Sequence, residues 1–220
     1  DGANAFFEYP KVVQLVSRRK NTLLAAPYYH RVNSATKLKA IRVRCNPDNE
    51  ADRVMAMDAG LTSNSFAMAT GYRTTDGQII IDGLAECMPE DGASVSFQLM
   101  EDTLREVAQA MNVKAVISDR WNSVQTLQAL EEDDVLVVNA QLDMGDATHL
   151  RDAVLHEGIS LPACEVDSKK VMAMTTDSAY PFNFQKTPVA HLMAQFGTVV
   201  QSGKFLGKGH GMTDDLFRCM

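Results

Sequence analysis

Apolar and polar positions change rhythm several times along this chain, and each change predicts an element. From residue 53 the apolar residues come in short runs, Arg53 to Asp58, Ser65 to Tyr72 and Gln78 to Cys87, which read as three strands in close order. Thr74-Thr-Asp-Gly77 between the second and third is a hairpin signal, because Asp-Gly supplies the positive-φ positions that a tight turn needs. The rhythm then lengthens. Phe97, Met100, Leu104, Val107, Ala108 and Met111 recur at helical spacing with charges between them, which predicts a helix over Ser96 to Met111. Val113 to Ile117 is short and β-branched and predicts a strand ending at Asp119. Three antiparallel strands, a helix and a further strand imply a mixed α/β sheet.

Beyond Asp119 the pattern predicts a helix over Asn122 to Leu130, a strand over Val135 to Asn139, a helix over Ala147 to His156 and a short strand over Ile159 to Leu161. Residues 167 to 187 read as a long loop or hairpin, and Pro188 to Val200 as a helix. Gly203 to Gly211 then forms a glycine-rich loop running into Asp214, which opens a closing helix. The first 45 residues mix aromatic and basic residues without clear period, although Lys11 to Arg19 predicts a short helix. Asn46-Pro-Asp-Asn-Glu50 is a polar break with turn chemistry, dividing the chain into an extension, 1–46, and one compact domain, 47–220.

Composition narrows the classes. At 220 residues and 45% hydrophobic content the chain can bury a substantial core. Its apolar runs are too short to cross a bilayer and no charged-then-apolar leader opens it, so no membrane partner and a soluble intracellular protein are expected. A first residue of Asp suggests an excised or processed piece. Cys45, Cys87, Cys164 and Cys219 stand singly, which predicts free thiols rather than a CxxC site or a disulfide scaffold. The five histidines show no HExxH spacing. No GxxxxGK[ST] is present, so a P-loop for ATP is excluded.

Charge is unevenly placed. From Lys11 to Asn46 there are nine Lys or Arg and no Asp or Glu, whereas from Pro47 onward there are 12 basic and 26 acidic residues, a balance of −14. A basic arm on an acidic body suits contact with nucleic-acid phosphates, with Arg18, Arg19 and Lys20 its densest cluster. An ordinary solvated surface, or contact with an acidic neighbouring domain, accounts for it equally well.

The candidate chemistry lies in acids at the tips of elements. Val54-Met-Ala-Met-Asp58-Ala-Gly60 ends an apolar strand in a carboxylate, Ala115-Val-Ile-Ser-Asp119 does the same, and Thr213-Asp214-Asp215-Leu216 opens a helix. Hard oxygen ligands on rigid elements point to two Mg2+ or Mn2+ ions, the arrangement that hydrolyses phosphodiesters. Asp58 would be the shared ligand, Asp119 would hold one ion, and Asp214 or Asp215 the other; by helical rotation Asp214 is preferred. Each acid also has a plainer role. Asp58 before Ala-Gly is how a turn begins, Asp119 before Arg120 suits an ion pair or cap, and Asp214 and Asp215 suit a helix N-terminus with Thr213 as cap. Lys204, Lys208 and His210 in the glycine-rich loop could meet phosphates or simply be solvated.

The MAMDAG strand, the ISDRWNSVQTLQAL segment and the closing TDDLFR helix, in this order of strands, resemble the nuclease domain of the large terminase subunit of tailed bacteriophages, an RNase H-like fold. The resemblance covers Ala51 to Met220. It implies a metal-dependent endonuclease that cuts concatemeric double-stranded viral DNA during packaging, with Asp58, Asp119 and Asp214 or Asp215 as the metal-binding acids. It further implies an ATPase motor domain on the same polypeptide, joined through the basic N-terminal part, with the portal and small terminase subunit as partners in the host cell cytoplasm. A junction-resolving nuclease and a catalytically silent DNA- or portal-docking module are the rival readings.

Overall fold

Alternation along β3 (Arg53–Ala59) buries Arg53, Met55 and Met57 on one face and leaves Val54, Ala56 and Asp58 more open on the other. β4 (Phe66–Arg73) pairs with it antiparallel and is buried on both faces from Phe66 to Gly71, as a central strand must be. β5 (Ile79–Pro89) pairs antiparallel with β4 through the expected hairpin. In its turn the Thr74 N–H donates to the Gln78 carbonyl at 2.8 Å, the Thr74 hydroxyl donates to the Asp76 carboxylate, and Gly77 takes a φ of 91°. The register of β4 shifts between Thr70 and Gly71, where an added Cβ would meet the Ile80 carbonyl oxygen at 2.8 Å.

This is a computed structural model, and it describes residues 4–16, 28–32, 51–60, 66–89, 97–119, 124–140, 143–161, 188–202, 205–207 and 215–220. Residues 17–20, 167–187, 204, 208, 210 and 214, which carry several of the expectations above, lie outside that set.

α2 (Phe97–Ala110) buries Met100, Leu104, Val107 and Ala108, the stripe its spacing predicts, against Met55, Met57 and Met68. β6 (Val113–Ser118) then pairs parallel to β3, and α3 (Val124–Glu132) leads to β7 (Leu136–Asn139), parallel to β6. α4 (Met144–Leu155) begins in a capping box in which Asp143 and Asp146 bond each other's backbone N–H. The helix therefore starts about one turn before the expected Ala147. β8 (Ile159–Ser160) pairs parallel with the start of β5, and β2 (Tyr28–Val32) pairs parallel with its end. The sheet runs β2-β5-β4-β3-β6-β7, with β8 beside β5.

A second core fills the opposite face of the sheet. It gathers Ala67, Ala69, Ile81 and Leu84 with residues of the N-terminal segment, α4 and two C-terminal helices, α5 (Pro188–Thr198) and α6 (Asp215–Arg218). Residues at the chain's start are integral to it: Phe6, Phe7, Val12 and Leu15 are buried. Phe7 meets Phe196 and Phe217 edge-on at 4.8 and 5.7 Å between ring centroids. α1 (Tyr9–Gln14) stops short of the expected Arg19, because the Leu15 carbonyl accepts from Leu161 N–H and Val16 bridges to Leu161. A small antiparallel sheet, β1 (Asn4–Ala5), β9 (Val200–Ser202) and β10 (Phe205–Gly207), joins the two termini. The helix predicted to Val200 thus ends at Thr198, and the stretch expected as a glycine-rich loop contains a strand.

Among the described residues one ion pair is buried. Arg53, 1% exposed, donates from Nε to Asp82 Oδ2 at 2.8 Å and from Nη1 to the Ala51 and Met111 carbonyls, while the Thr70 hydroxyl donates to Asp82 Oδ1 at 3.1 Å. Burial still pushes the Asp82 carboxyl above the usual range, against the opposing pull of Arg53 and Thr70. At the sheet's other end β7 leaves Leu136 64% and Val138 37% exposed. Among the described residues no helix is long and apolar enough to cross a membrane.

Candidate functional site

β3 leads the chain to one side, into β4 and β5, whereas β6, its parallel neighbour, leads it to the other, into β7. The carboxyl ends of such a strand pair leave a crevice where open α/β sheets place their ligands. The ladder aligns Met57 with Ser118, and the next residue on each strand is an acid, Asp58 and Asp119. Two acids 61 positions apart in sequence are thereby delivered to the same edge of the sheet.

Local bonds hold these ends in place. Asp58 and Ala59 stay in the ladder opposite Ala67 and Phe66, and the Gly60 N–H donates to the Asp58 carbonyl at 3.2 Å where the strand ends. Ala59 thus still belongs to β3, and Gly60 is the first residue beyond it. Behind Asp119 the Ser118 hydroxyl donates to the Asp119 carbonyl at 2.9 Å, and the Ala140 N–H donates to the Ser118 carbonyl at 3.1 Å. Both acids are partly exposed, within reach of water and of a ligand.

α6 packs over β3 and β4 on this side of the sheet. Its anchor is Phe217, buried among Phe7 and Phe196, whose backbone N–H donates to the buried Gln195 Oε1 at 2.8 Å. From this anchored turn Arg218 brings its Nε to 3.9 Å from Asp58 Oδ2. That distance is an ion pair and too long for a hydrogen bond. Asp215 is the first residue of the same helix. Sequence reasoning did not single out Arg218; its signal was a lone basic residue in the acidic segment TDDLFR.

Of the expected site residues, then, Asp58 and Asp119 stand at neighbouring strand ends and Asp215 begins the helix that reaches Asp58. Asp214, Lys204, Lys208, His210, Arg18, Arg19 and Lys20 lie outside the described residues, as does the side chain of Asp215. Among the described residues no group of three His, Cys, Asp or Glu is close enough to hold a metal ion. The donor set that is described nevertheless suits a hard divalent cation: two carboxylates on parallel strands, one already facing a positive group. Cys219 is a buried free thiol, in line with the expectation for that residue.

No protein-family model matches the sequence, and no curated protein matches it. Among solved structures the chain is similar to the large terminase nuclease from thermophilic phage G20c with bound magnesium, with a TM-score of 0.55 and 10% identity over 100% of this chain and 96% of that one. It is also similar to the HK97 bacteriophage large terminase, with a TM-score of 0.52 and 10% identity over 94% of this chain and 40% of that one. The large terminase of a second thermophilic bacteriophage matches with a TM-score of 0.51 and 15% identity, over 79% of this chain and 39% of that one. The chain thus spans about 40% of the length of these two large terminases. At these identities the likeness is one of fold: the chain has the RNase H-like architecture of a terminase nuclease domain.

Proposed function

We propose that this chain is a metal-dependent DNA endonuclease domain of a viral packaging motor, cutting concatemeric double-stranded DNA by phosphodiester hydrolysis with two Mg2+ or Mn2+ ions. The observation that carries the reading is the delivery of Asp58 and Asp119 to adjacent carboxyl ends of β3 and β6. Their position at the switch point of an RNase H-like sheet supports it, as does likeness to a magnesium-bound nuclease over nearly the whole of both chains.

In this reading Asp58, on the central strand, is the ligand shared by both ions, Asp119 holds one, and Asp214 or Asp215 the other. When bound, the ions supply water activation and neutralise charge on the scissile phosphate. The protein's part is placement. Rigid strands fix Asp58 and Asp119, and the Phe217 anchor fixes α6 above them. Lys204, Lys208 and His210, on the approach to α6, are proposed to meet the DNA backbone, as are Arg18, Arg19 and Lys20. Binding through phosphates implies reading of backbone and shape rather than base edges. The proposed partners are an ATPase motor domain of the same polypeptide, the portal and the small terminase subunit, in the host cell cytoplasm.

The test is incubation of supercoiled plasmid with the protein and Mn2+, repeated with Asp58→Asn. Metal-dependent nicking by the native chain, lost in the variant, is expected. Equal and negligible cutting by both would favour a silent docking module, and cutting restricted to four-way junctions a resolvase.

A further inference from the structure

The guanidinium of Arg218 stands 3.9 Å from the carboxylate of Asp58. The backbone of α6 is fixed by the buried Phe217 and by its bond to Gln195, so the root of the Arg218 side chain cannot drift. The head is held less tightly to Asp58. The Arg218 side chain is 52% exposed and lies beyond hydrogen-bond distance of that carboxylate, so the contact is Coulombic and open to solvent. The Asp58 side chain is 23% exposed, accessible to an arriving ion.

A carboxylate facing a tethered cation across a solvent-exposed contact has a definite consequence. We infer that Arg218 is a positioning residue that acts as a built-in competitor for divalent metal at Asp58: it balances the carboxylate while no ion is present and must give way before an ion engages the same oxygen. This rests on the metal-site reading above and adds regulation to it. Metal occupancy becomes harder to reach at low ion concentration, and the displaced guanidinium, still rooted beside the site, is placed to take up a second anion such as a phosphate of DNA.

The test measures Mn2+ binding by isothermal titration, with the Mn2+ electron paramagnetic resonance signal as a second readout. The proteins are the native chain, Arg218→Gln, Arg218→Lys and Asp58→Asn, each at low and high salt. Loss of an exposed ion pair of this kind predicts binding about two- to fivefold tighter in Arg218→Gln, with Arg218→Lys close to native. The gain should shrink at high salt, since an exposed Coulombic competitor is screened; a merely structural effect would not follow salt or be rescued by lysine. Binding by the native chain that is unchanged or weakened in Arg218→Gln overturns the competitor while leaving the metal reading intact. Absence of binding in the native chain, or binding undiminished in Asp58→Asn, overturns the metal reading and the inference with it.

Discussion

The backbone N–H of Phe217 donates to the side-chain oxygen of Gln195 at 2.8 Å, inside the core. Gln195 is 1% exposed and lies on α5, so this bond, with the Phe196–Phe217 ring contact, ties the closing helix that carries Arg218 to its neighbour. Gln195→Leu should cost about 1–3 kcal/mol, because it leaves a buried backbone donor without its acceptor. Denaturant unfolding checks the loss. A metal-binding assay on the still-folded variant should show weaker or more heterogeneous binding if α6 positions the site.

Asp119→Asn should abolish Mn2+-dependent plasmid cutting with little change in melting temperature, because the acid is partly exposed at a strand tip. Asp214→Asn should behave alike. A strong loss of stability in either would mark a structural acid instead.

The chain's first residues should matter to its last. Phe7 packs edge-on against Phe196 and Phe217, so Phe7→Ala is expected to cost about 3–5 kcal/mol. Calorimetric melting reads this directly. Removing residues 1–8 should lower stability at least as much, whereas a dispensable linker would leave it unchanged.

The pair of Arg53 and Asp82 predicts an asymmetric double-mutant cycle. Asp82→Ala strands a buried guanidinium and should cost about 3–5 kcal/mol, while replacing both partners with apolar residues of similar volume should cost far less. The pH dependence follows from burial. Because the folded carboxyl titrates above its unfolded value, its contribution to stability is full below the unfolded pKa, near 4, and is lost as pH rises through the folded one. Asp133 runs the other way. The hydrogen bonds from Arg105 lower its pKa, so its contribution is present above the unfolded pKa and fades as pH falls through the folded one. Carboxyl chemical shifts followed by NMR should place the two titrations on opposite sides of an ordinary Asp.

Gly71 sits at the register shift of β4 against the Ile80 carbonyl, and the near contact is backbone, which cannot swing aside. Gly71→Ala is therefore expected to cost about 1–3 kcal/mol by overpacking, measurable by urea unfolding.

What could be read in the sequence was what is decided locally. The apolar stripe of α2, the Asp-Gly hairpin and the strand tips at Asp58 and Asp119 each sit within a dozen residues that carry their own signal. The small sheet could not be read, since its strands are two or three residues long and Ala5 pairs with Val200 from the far end of the chain. The end of α1 was hidden for a related reason: the Leu15 carbonyl, just past the helix, accepts from the Leu161 N–H, 146 residues on. Arg53 looked like a polar strand start, and only Asp82, 29 residues on, makes its burial tolerable. Arg218 was within view but had no stated purpose until the fold brought it to Asp58.

The outermost strand carries a practical consequence. β7 ends the sheet with Leu136 and Val138 bare, directly after the run Glu131, Glu132, Asp133 and Asp134. Asp133 is paired with Arg105, and the other three carboxylates serve as electrostatic gatekeepers, repelling another molecule that would otherwise stack edge to edge on greasy side chains. Replacing Glu131, Glu132 and Asp134 with neutral residues removes most of that fence, and turbidity of a concentrated sample, rather than unfolding, should be the first sign of trouble.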